Sequence, residues 1–186
     1  MSERGTRLYF AYGSNLHPLR LGLRTPACEP LGTARLDGYR LCFHKRSDGD
    51  SSAKADAWRS GAADDVLHGV VYRMHDDEIP VLDGIEGLGA GGYELRTENV
   101  RLAGEPVCVF LYAARDSHID TALRPYTWYR DLVWRGASWQ GFPSTYVDAI
   151  RTVPAVVDAD VHRHADNERL LNVMPHWQPQ HGYRLP

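Results

Sequence analysis

The chain has 186 residues, 43% of them hydrophobic and 24% charged, and its 21 basic against 24 acidic side chains give a net charge of −3. That length suits a single globular domain able to bury roughly 70% of the surface its unfolded chain exposes, without metal or disulfide staples. No apolar run approaches the ~20 residues of a membrane-spanning helix, and the scattered basic residues leave no electrostatic footprint for nucleic acid, so neither a membrane nor a nucleic-acid partner is expected.

The opening Met1 to Arg7 is polar and lacks the apolar stretch of a signal peptide. Leu8 to Tyr12 then reads as a short buried strand stopped by the turn formers Gly13-Ser14-Asn15. Leu16 to Leu23 fits a short helix interrupted by Pro18, and Thr33 to His44 and Ala53 to Trp58 have strand composition around a polar loop at Ser47 to Ser52. Val66 to Met74 is a strand around Gly69, after which His75-Asp76-Asp77-Glu78 suits the N-terminus of a helix reaching about Glu86. Pro80 is compatible only with the first turn, which sets the helix start near Asp77. Gly87 to Gly92 ends it. Tyr93 to Leu102 and Pro106 to Ala113 flank Ala103-Gly104-Glu105 as an antiparallel hairpin. From Thr127 the period becomes helical, with Trp128, Leu132 and Arg135 on one face and Tyr129 and Val133 beside them. Gly141-Phe142-Pro143 breaks this run, and Ser144 caps a second helix through Ile150. Beyond Val157 the chain is rich in His, Pro and Gln, with a helix over Asp160 to Val173. Strands and helices mix without a regular strand-helix-strand repeat, which predicts an α+β domain with a largely antiparallel or barrel-like sheet.

Several motifs invite chemistry and lack the context for it. Gly87-Leu88-Gly89-Ala90-Gly91-Gly92 fits GxGxxG, but it follows a helix and opens a strand, the reverse of a dinucleotide-binding turn, so a plain helix-to-strand turn is expected. His162, His164, His176 and His181 have no carboxylate or thiolate in register, and they, His17 and His44 are read as surface residues, with no metal site. Cys28, Cys42 and Cys108 are odd in number and widely spaced, which gives neither a disulfide framework nor a zinc knuckle and points to a reducing cytoplasm. Cys42 and His44 share a strand face without a third partner. Two features stand above this background. In Tyr9-Phe10-Ala11-Tyr12-Gly13-Ser14-Asn15-Leu16 a strand ends in small polar residues whose successive N–H groups can face a carboxylate or a developing oxyanion. In Asp83-Gly84-Ile85-Glu86-Gly87 an acid sits at a helix end, with Tyr93 seven residues on.

Together these residues resemble the γ-glutamylcyclotransferase family, because separated blocks occur in family order from about Leu8 to Pro154. The blocks are the loop Tyr12-Gly13-Ser14-Asn15-Leu16, the segment from Gly69-Val70-Val71-Tyr72 to Leu82-Asp83, Glu86-Gly87 with Tyr93, and Tyr112 at a strand end. The last is Pro125 to Tyr146, with Tyr129, Gly136-Ala137 and Gly141-Phe142-Pro143 before Tyr146. The resemblance implies a small mixed, largely antiparallel β-barrel with flanking helices over residues 1–156, and a C-terminal extension, 157–186, packed on the same domain. It implies release of 5-oxoproline from a γ-glutamyl amino acid or γ-glutamylamine, without cofactor or metal, with Glu86 as general acid/base. Tyr12, Gly13, Ser14, Asn15, Leu16, Tyr93, Tyr112 and Tyr129 would bind this small-molecule substrate, and a homodimer is compatible with the family. The Tyr-Gly-Ser-Asn-Leu loop leans toward the branch acting on γ-glutamyl amino acids, since the glutathione-specific branch resembles Tyr-Gly-Ser-Leu and the γ-glutamylamine branch Tyr-Gly-Thr-Leu. The alternative reading is a non-catalytic amino-acid or carboxylate-binding module on the same fold, disfavoured because such a module has no use for an acid beside the scissile carbonyl. Metal-dependent amidohydrolysis through the C-terminal histidines ranks last.

Overall fold

The computed structural model describes residues 5–185, so the first residues of the polar N-terminal segment and Pro186 lie outside the described residues. In chain order the elements are β1 (Thr6–Ala11), α1 (Pro18–Gly22), β2 (Glu29–Asp37), β3 (Tyr39–Arg46), β4 (Ala53–Arg59), β5 (Val66–His75), α2 (Ile79–Glu86), β6 (Tyr93–Leu102), β7 (Glu105–Ala114), α3 (Thr127–Trp139), α4 (Ser144–Arg151) and α5 (Val161–Val173). Five strands form a closed barrel in the order β1-β5-β2-β6-β7. Four of its pairings are antiparallel, and the barrel closes through a parallel contact that sets Tyr9 opposite Phe110. Closure leaves no open strand edge. The hairpin β3-β4 forms a separate two-stranded sheet, tied to the end of β7 where the Ala114 N–H donates to the buried Asp56 carboxylate at 2.7 Å.

The expected strand and helix pattern holds, with differences at turns. The strand material from Thr33 to His44 is divided at Gly38 into β2 and β3. The β6-β7 turn is Ala103-Gly104 alone, both at positive φ (51° and 91°), and Glu105 already belongs to β7. Such a two-residue turn matches the right-handed twist of the strands it joins. Pro18 starts α1 instead of interrupting it, because proline's missing N–H has no intrahelical role in the first turn. Ser144 is the first residue of α4 and Pro143 occupies the cap, with no side-chain capping bond.

α3 buries Trp128, Tyr129, Leu132, Val133, Gly136 and Ala137. A Cβ at Gly136 would come 2.8 Å from the Leu16 Cβ, so glycine here lets α3 sit directly on the loop after β1. The segment beyond Val157 joins the same core through Leu170, Leu171, Met174 and Trp177. Its start is pinned by the buried Asp158, which accepts from Trp128 Nε1 at 2.8 Å and from Arg163 at 2.6 and 2.7 Å; Arg163 holds that carboxyl well below the usual carboxylate range. Asp160 caps α5 by accepting from the N–H groups of His162 and Arg163. Among the described residues no helix is long and apolar enough to cross a membrane.

Candidate active site

The loop after β1 and the end of α2 meet at one carboxylate. Glu86 is the last residue of α2, and Gly87 follows in the left-handed region at φ 69°. The Leu88 N–H returns to Asp83 O and the Gly87 N–H to Gly84 O, a Schellman ending that needs a residue without Cβ and fixes the direction of Glu86. Opposite it, the buried Asn15 donates through Nδ2 to Glu86 Oε1 at 2.9 Å and to the Tyr9 hydroxyl at 3.2 Å. Arg24, just past α1, donates through Nη1 to the same Oε1 at 3.1 Å and to Asn15 Oδ1 at 2.9 Å. Asn15, Arg24 and Glu86 therefore brace one another. Among the described residues no hydrogen bond reaches Glu86 Oε2.

The recess at this point is lined by Tyr12, Gly13, Ser14, Asn15, Glu86, Tyr93, Tyr112 and Tyr129 from the sequence prediction, with Tyr9 and Ala55 added. Leu16 is not among the lining residues. It is fully buried beneath the loop, its N–H closes the turn on Gly13 O at 3.1 Å, and its carbonyl accepts from Tyr72 at 3.2 Å and Gln140 at 2.8 Å. The N–H groups of Gly13, Ser14 and Asn15 make no hydrogen bond among the described residues. Three successive backbone donors of recess-lining residues are therefore unspent.

The tyrosines divide by what their hydroxyls do. Tyr12 donates to the Tyr112 carbonyl, Tyr93 to the Ala55 carbonyl at 2.5 Å, and Tyr112 to Asp83 Oδ1 at 2.6 Å. Those protons are spent within the fold, so these three rings are walls. Tyr9 and Tyr129 instead accept, from Asn15 and from the Ala55 N–H at 3.1 Å, and keep a proton to donate. Burial raises the hydroxyls of Tyr9, Tyr12, Tyr93 and Tyr112 well above the ordinary tyrosine value and that of Tyr129 to about 12. All five stay protonated at neutral pH and none serves as a base. Glu86 is the remaining ionisable group on the recess wall.

The recess itself is small, about 20 Å³, close to the minimum that holds one water, ~10–15 Å³. It opens past Ser14, Glu86, Tyr93 and Tyr129 into a cavity of about 230 Å³. Larger cavities lie elsewhere, 450 Å³ beside α4, 350 Å³ beside Tyr39 and 340 Å³ beside His17, but each has at most one tyrosine in its lining, and none gathers several around a carboxylate.

The motifs set aside on context take structural roles. Gly87 to Gly92 is a helix-to-strand turn whose Gly91 carbonyl accepts from Lys45 Nζ at 2.5 Å. His17 and His44, expected at the surface, are both buried because each ring finds polar partners inside the fold; His44 pairs with the buried Asp56 at 2.8 Å instead of activating Cys42, whose thiol is pushed up by burial. Among the described residues no three His, Cys, Asp or Glu side chains gather as a metal site. The sequence prediction missed Tyr9 and Arg24. Tyr9 lies within the quoted loop block, but strand alternation separates residues three apart, and only the turn after Ala11 brings Tyr9 and Tyr12 to one recess. Arg24 carries no local motif. Its signal would have been an arginine at a short helix's end, nine residues after a loop asparagine.

The sequence profile of the AIG2-like family matches residues 66–150. A γ-glutamylcyclotransferase of Mus musculus is 32% identical over 162 residues, covering 81% of this chain and 80% of that protein. The Homo sapiens γ-glutamylcyclotransferase is 29% identical over 154 residues, covering 78% of each. A solved γ-glutamyl cyclotransferase structure superposes with a TM-score of 0.76 at 24% identity, covering 90% of this chain and 99% of that one, which establishes the fold. The barrel, the loop facing Glu86 and this extent of identity with the mouse protein place the chain in the γ-glutamylcyclotransferase family of enzymes.

Proposed function

We propose that the protein releases 5-oxoproline from a γ-glutamyl amino acid or γ-glutamylamine, with Glu86 as the single proton carrier. The observation that carries this is the lining of the recess: one carboxylate among five tyrosines held protonated by burial. The substrate's α-amino nitrogen attacks its own γ-carbonyl carbon, closing a five-membered ring, and the bond from that carbon to the amine nitrogen breaks. Nucleophile and electrophile both belong to the substrate, so proximity is built in, and the step needs neither an enzyme nucleophile nor a cofactor. What it needs is a proton moved from the α-amino nitrogen to the departing amine.

Glu86 can do both halves in turn. Asn15 and Arg24 hold Oε1, which leaves Oε2 to take the proton and return it, an effect typically of ~10²–10⁴-fold. The N–H groups of Gly13, Ser14 and Asn15 are suited to the substrate carboxylate, and Tyr9 and Tyr129 supply the uncommitted hydroxyl donors. The recess admits only about one water, so the γ-glutamyl group anchors at its rim and extends into the adjoining cavity. Residues 1–156 are read as the catalytic unit and 157–186 as an extension packed on it. The free cysteines support a cytoplasmic location, and the scattered charge supports a small molecule as the partner, without nucleic acid or membrane.

The test is mass-spectrometric detection of 5-oxoproline after incubation with glutathione, γ-glutamyl amino acids and γ-glutamylamines, with Glu86→Gln as control. Product that depends on Glu86 is expected. Tight binding of unreacted ligand with no product from any compound would overturn the reading in favour of a binding module. Light scattering on the same sample decides between monomer and homodimer.

A further inference from the structure

The 230 Å³ cavity beyond Glu86 carries more positive charge than its own acids match. Arg20, Arg24, Lys45 and Lys54 line it, against Glu86 and Asp50. Arg24 is paired with Glu86 at 3.1 Å and Lys54 with Asp50 at 2.7 Å. Arg20 and Lys45 are left over. Among the described residues neither has a carboxylate within ion-pair distance. The Arg20 Nε is buried without any hydrogen-bond partner. Lys45 is itself buried, gives one proton to the Gly91 carbonyl at 2.5 Å, and stands 4.5 Å over the Tyr93 ring. Burial lowers the pKa of both, Arg20 to about 9 with Arg24 repelling it further and Glu86 opposing.

A buried cation without a counter-ion, such as Lys45, and a buried donor without a partner, such as the Nε of the half-buried Arg20, are unfavourable unless an anion completes them. The surplus is not in the ring-closing recess, where Oε1 of Glu86 is already satisfied. It lies in the adjoining cavity, which shares Ser14, Glu86, Tyr93 and Tyr129 with the recess and offers the room that the amine portion of a substrate anchored at the loop requires. Neighbouring neutral pairs cannot absorb it, since Arg24 and Lys54 each have their own acid. A neutral alkylamine would leave both cations bare, and a neutral amino acid would bring one carboxylate for two charges.

We propose that this cavity is the leaving-group subsite and that Arg20 and Lys45 are specificity-determining residues which select a γ-glutamyl substrate whose amine portion is a dicarboxylic amino acid. The assignment rests on the cyclotransferase reading and narrows its substrate class. Charge-assisted bonds from both cations to the two carboxylates give the selectivity, with Arg20 matched to a carboxylate through its planar fork and Lys45 acting as a point charge.

The experiment compares kcat/KM for γ-glutamyl-glutamate, the nearly isosteric γ-glutamyl-glutamine and γ-glutamyl-butylamine, in the wild type and in Arg20→Met and Lys45→Met. The wild type is expected to favour γ-glutamyl-glutamate over γ-glutamyl-glutamine by about tenfold or more, and each variant to reduce that ratio to about threefold or less. A ratio between two substrates on one preparation is insensitive to partial misfolding, and the wild-type ratio stands as a test if a variant does not fold. A wild-type ratio near one, with 5-oxoproline formed from both, overturns the subsite and leaves the cyclotransferase reading intact. A tenfold ratio unchanged in both variants overturns the assignment to Arg20 and Lys45. No product from any of the three overturns both readings together.

Discussion

Two ionisable groups lie beside the loop after β1, Glu86 about one-fifth exposed and His17 fully buried, and they are wired differently. Glu86, on the wall of the recess, has both of its donors, Asn15 and Arg24, on one oxygen, and among the described residues its other oxygen has none. His17 has both ring nitrogens engaged by backbone: Nδ1 accepts from the Leu19 N–H at 3.2 Å and caps α1, while Nε2 lies 3.1 Å from the Met174 carbonyl. Its ring is fully buried between Trp139 and Trp177, with centroids 4.9 and 5.6 Å away. The cavity beside His17 is far larger than the recess at Glu86, 340 against 20 Å³. Cavity size does not separate a reactive group from a structural one here, and the more deeply buried of the two is the structural one. The difference is whether one atom of the group is held while another remains free to exchange a proton.

The largest effect should follow from removing that freedom at Glu86. Glu86→Gln preserves the acceptor for Asn15 and Arg24 while abolishing proton exchange, so 5-oxoproline formation should fall by ~10²–10⁴-fold, with thermal stability nearly unchanged. Activity retained within an order of magnitude would end the distinction drawn above. At His17 the effect should be on stability instead. His17→Asn keeps a good capping residue but loses the ring packing and the Met174 contact, and should destabilise by about 2–3 kcal/mol in urea titrations, with turnover by the folded protein unchanged.

The same residue gives a pH signature. Burial lowers the His17 pKa from 6.5 to about 4. Between those values the unfolded chain binds a proton that the folded chain refuses, so stability falls as pH drops through that window and the loss is complete below about 4. At about 1.36 kcal/mol per unit, the wild type should lose about 3 kcal/mol that His17→Asn does not. The stability gap between the two proteins should therefore narrow from pH 7 to pH 4, and a constant gap would show that the histidine is not held neutral.

This contrast also shows what was legible in the sequence. The barrel strands, the helix ending at Glu86 and the loop Gly13-Ser14-Asn15 are local patterns: apolar runs bounded by turn formers, a proline that fixes a first turn, a glycine that ends a helix. Local chemistry sets them, so they could be read. The division at Gly38 and the two-residue turn at Ala103-Gly104 were read less well, because strand composition continues through both. The bracing of Glu86 was out of reach. Arg24 meets it across 62 positions and Asn15 across 71, separations that no local pattern spans. Likewise, four tyrosines were legible as pocket candidates, but which of their protons are spent depends on carbonyls and a carboxylate supplied by other strands and helices. That is why Leu16, equal to its neighbours in the motif, packs beneath the recess instead of lining it, and why Tyr9 enters unannounced.

The smallest of these effects is also the most discriminating, because it concerns the bracing and not the proton carrier. Arg24 touches Glu86 and Asn15 through a single nitrogen, with both ion-pair side chains about one-fifth exposed, so its contribution is screened and modest. If Arg24 acts by orienting Oε1, Arg24→Met should lower kcat by roughly tenfold, about 1.4 kcal/mol, while KM changes little, and Arg24→Lys should recover much of the loss because an ammonium at the same place can still donate to both oxygens. If Arg24 serves only to hold α1 in place, Met and Lys variants should lose stability together and kcat per folded molecule should not change. If it instead binds the substrate directly, KM should rise with kcat preserved. The kcat and KM pattern therefore decides whether the braced oxygen of Glu86 is part of how the site works, or merely how the loop is folded beside it.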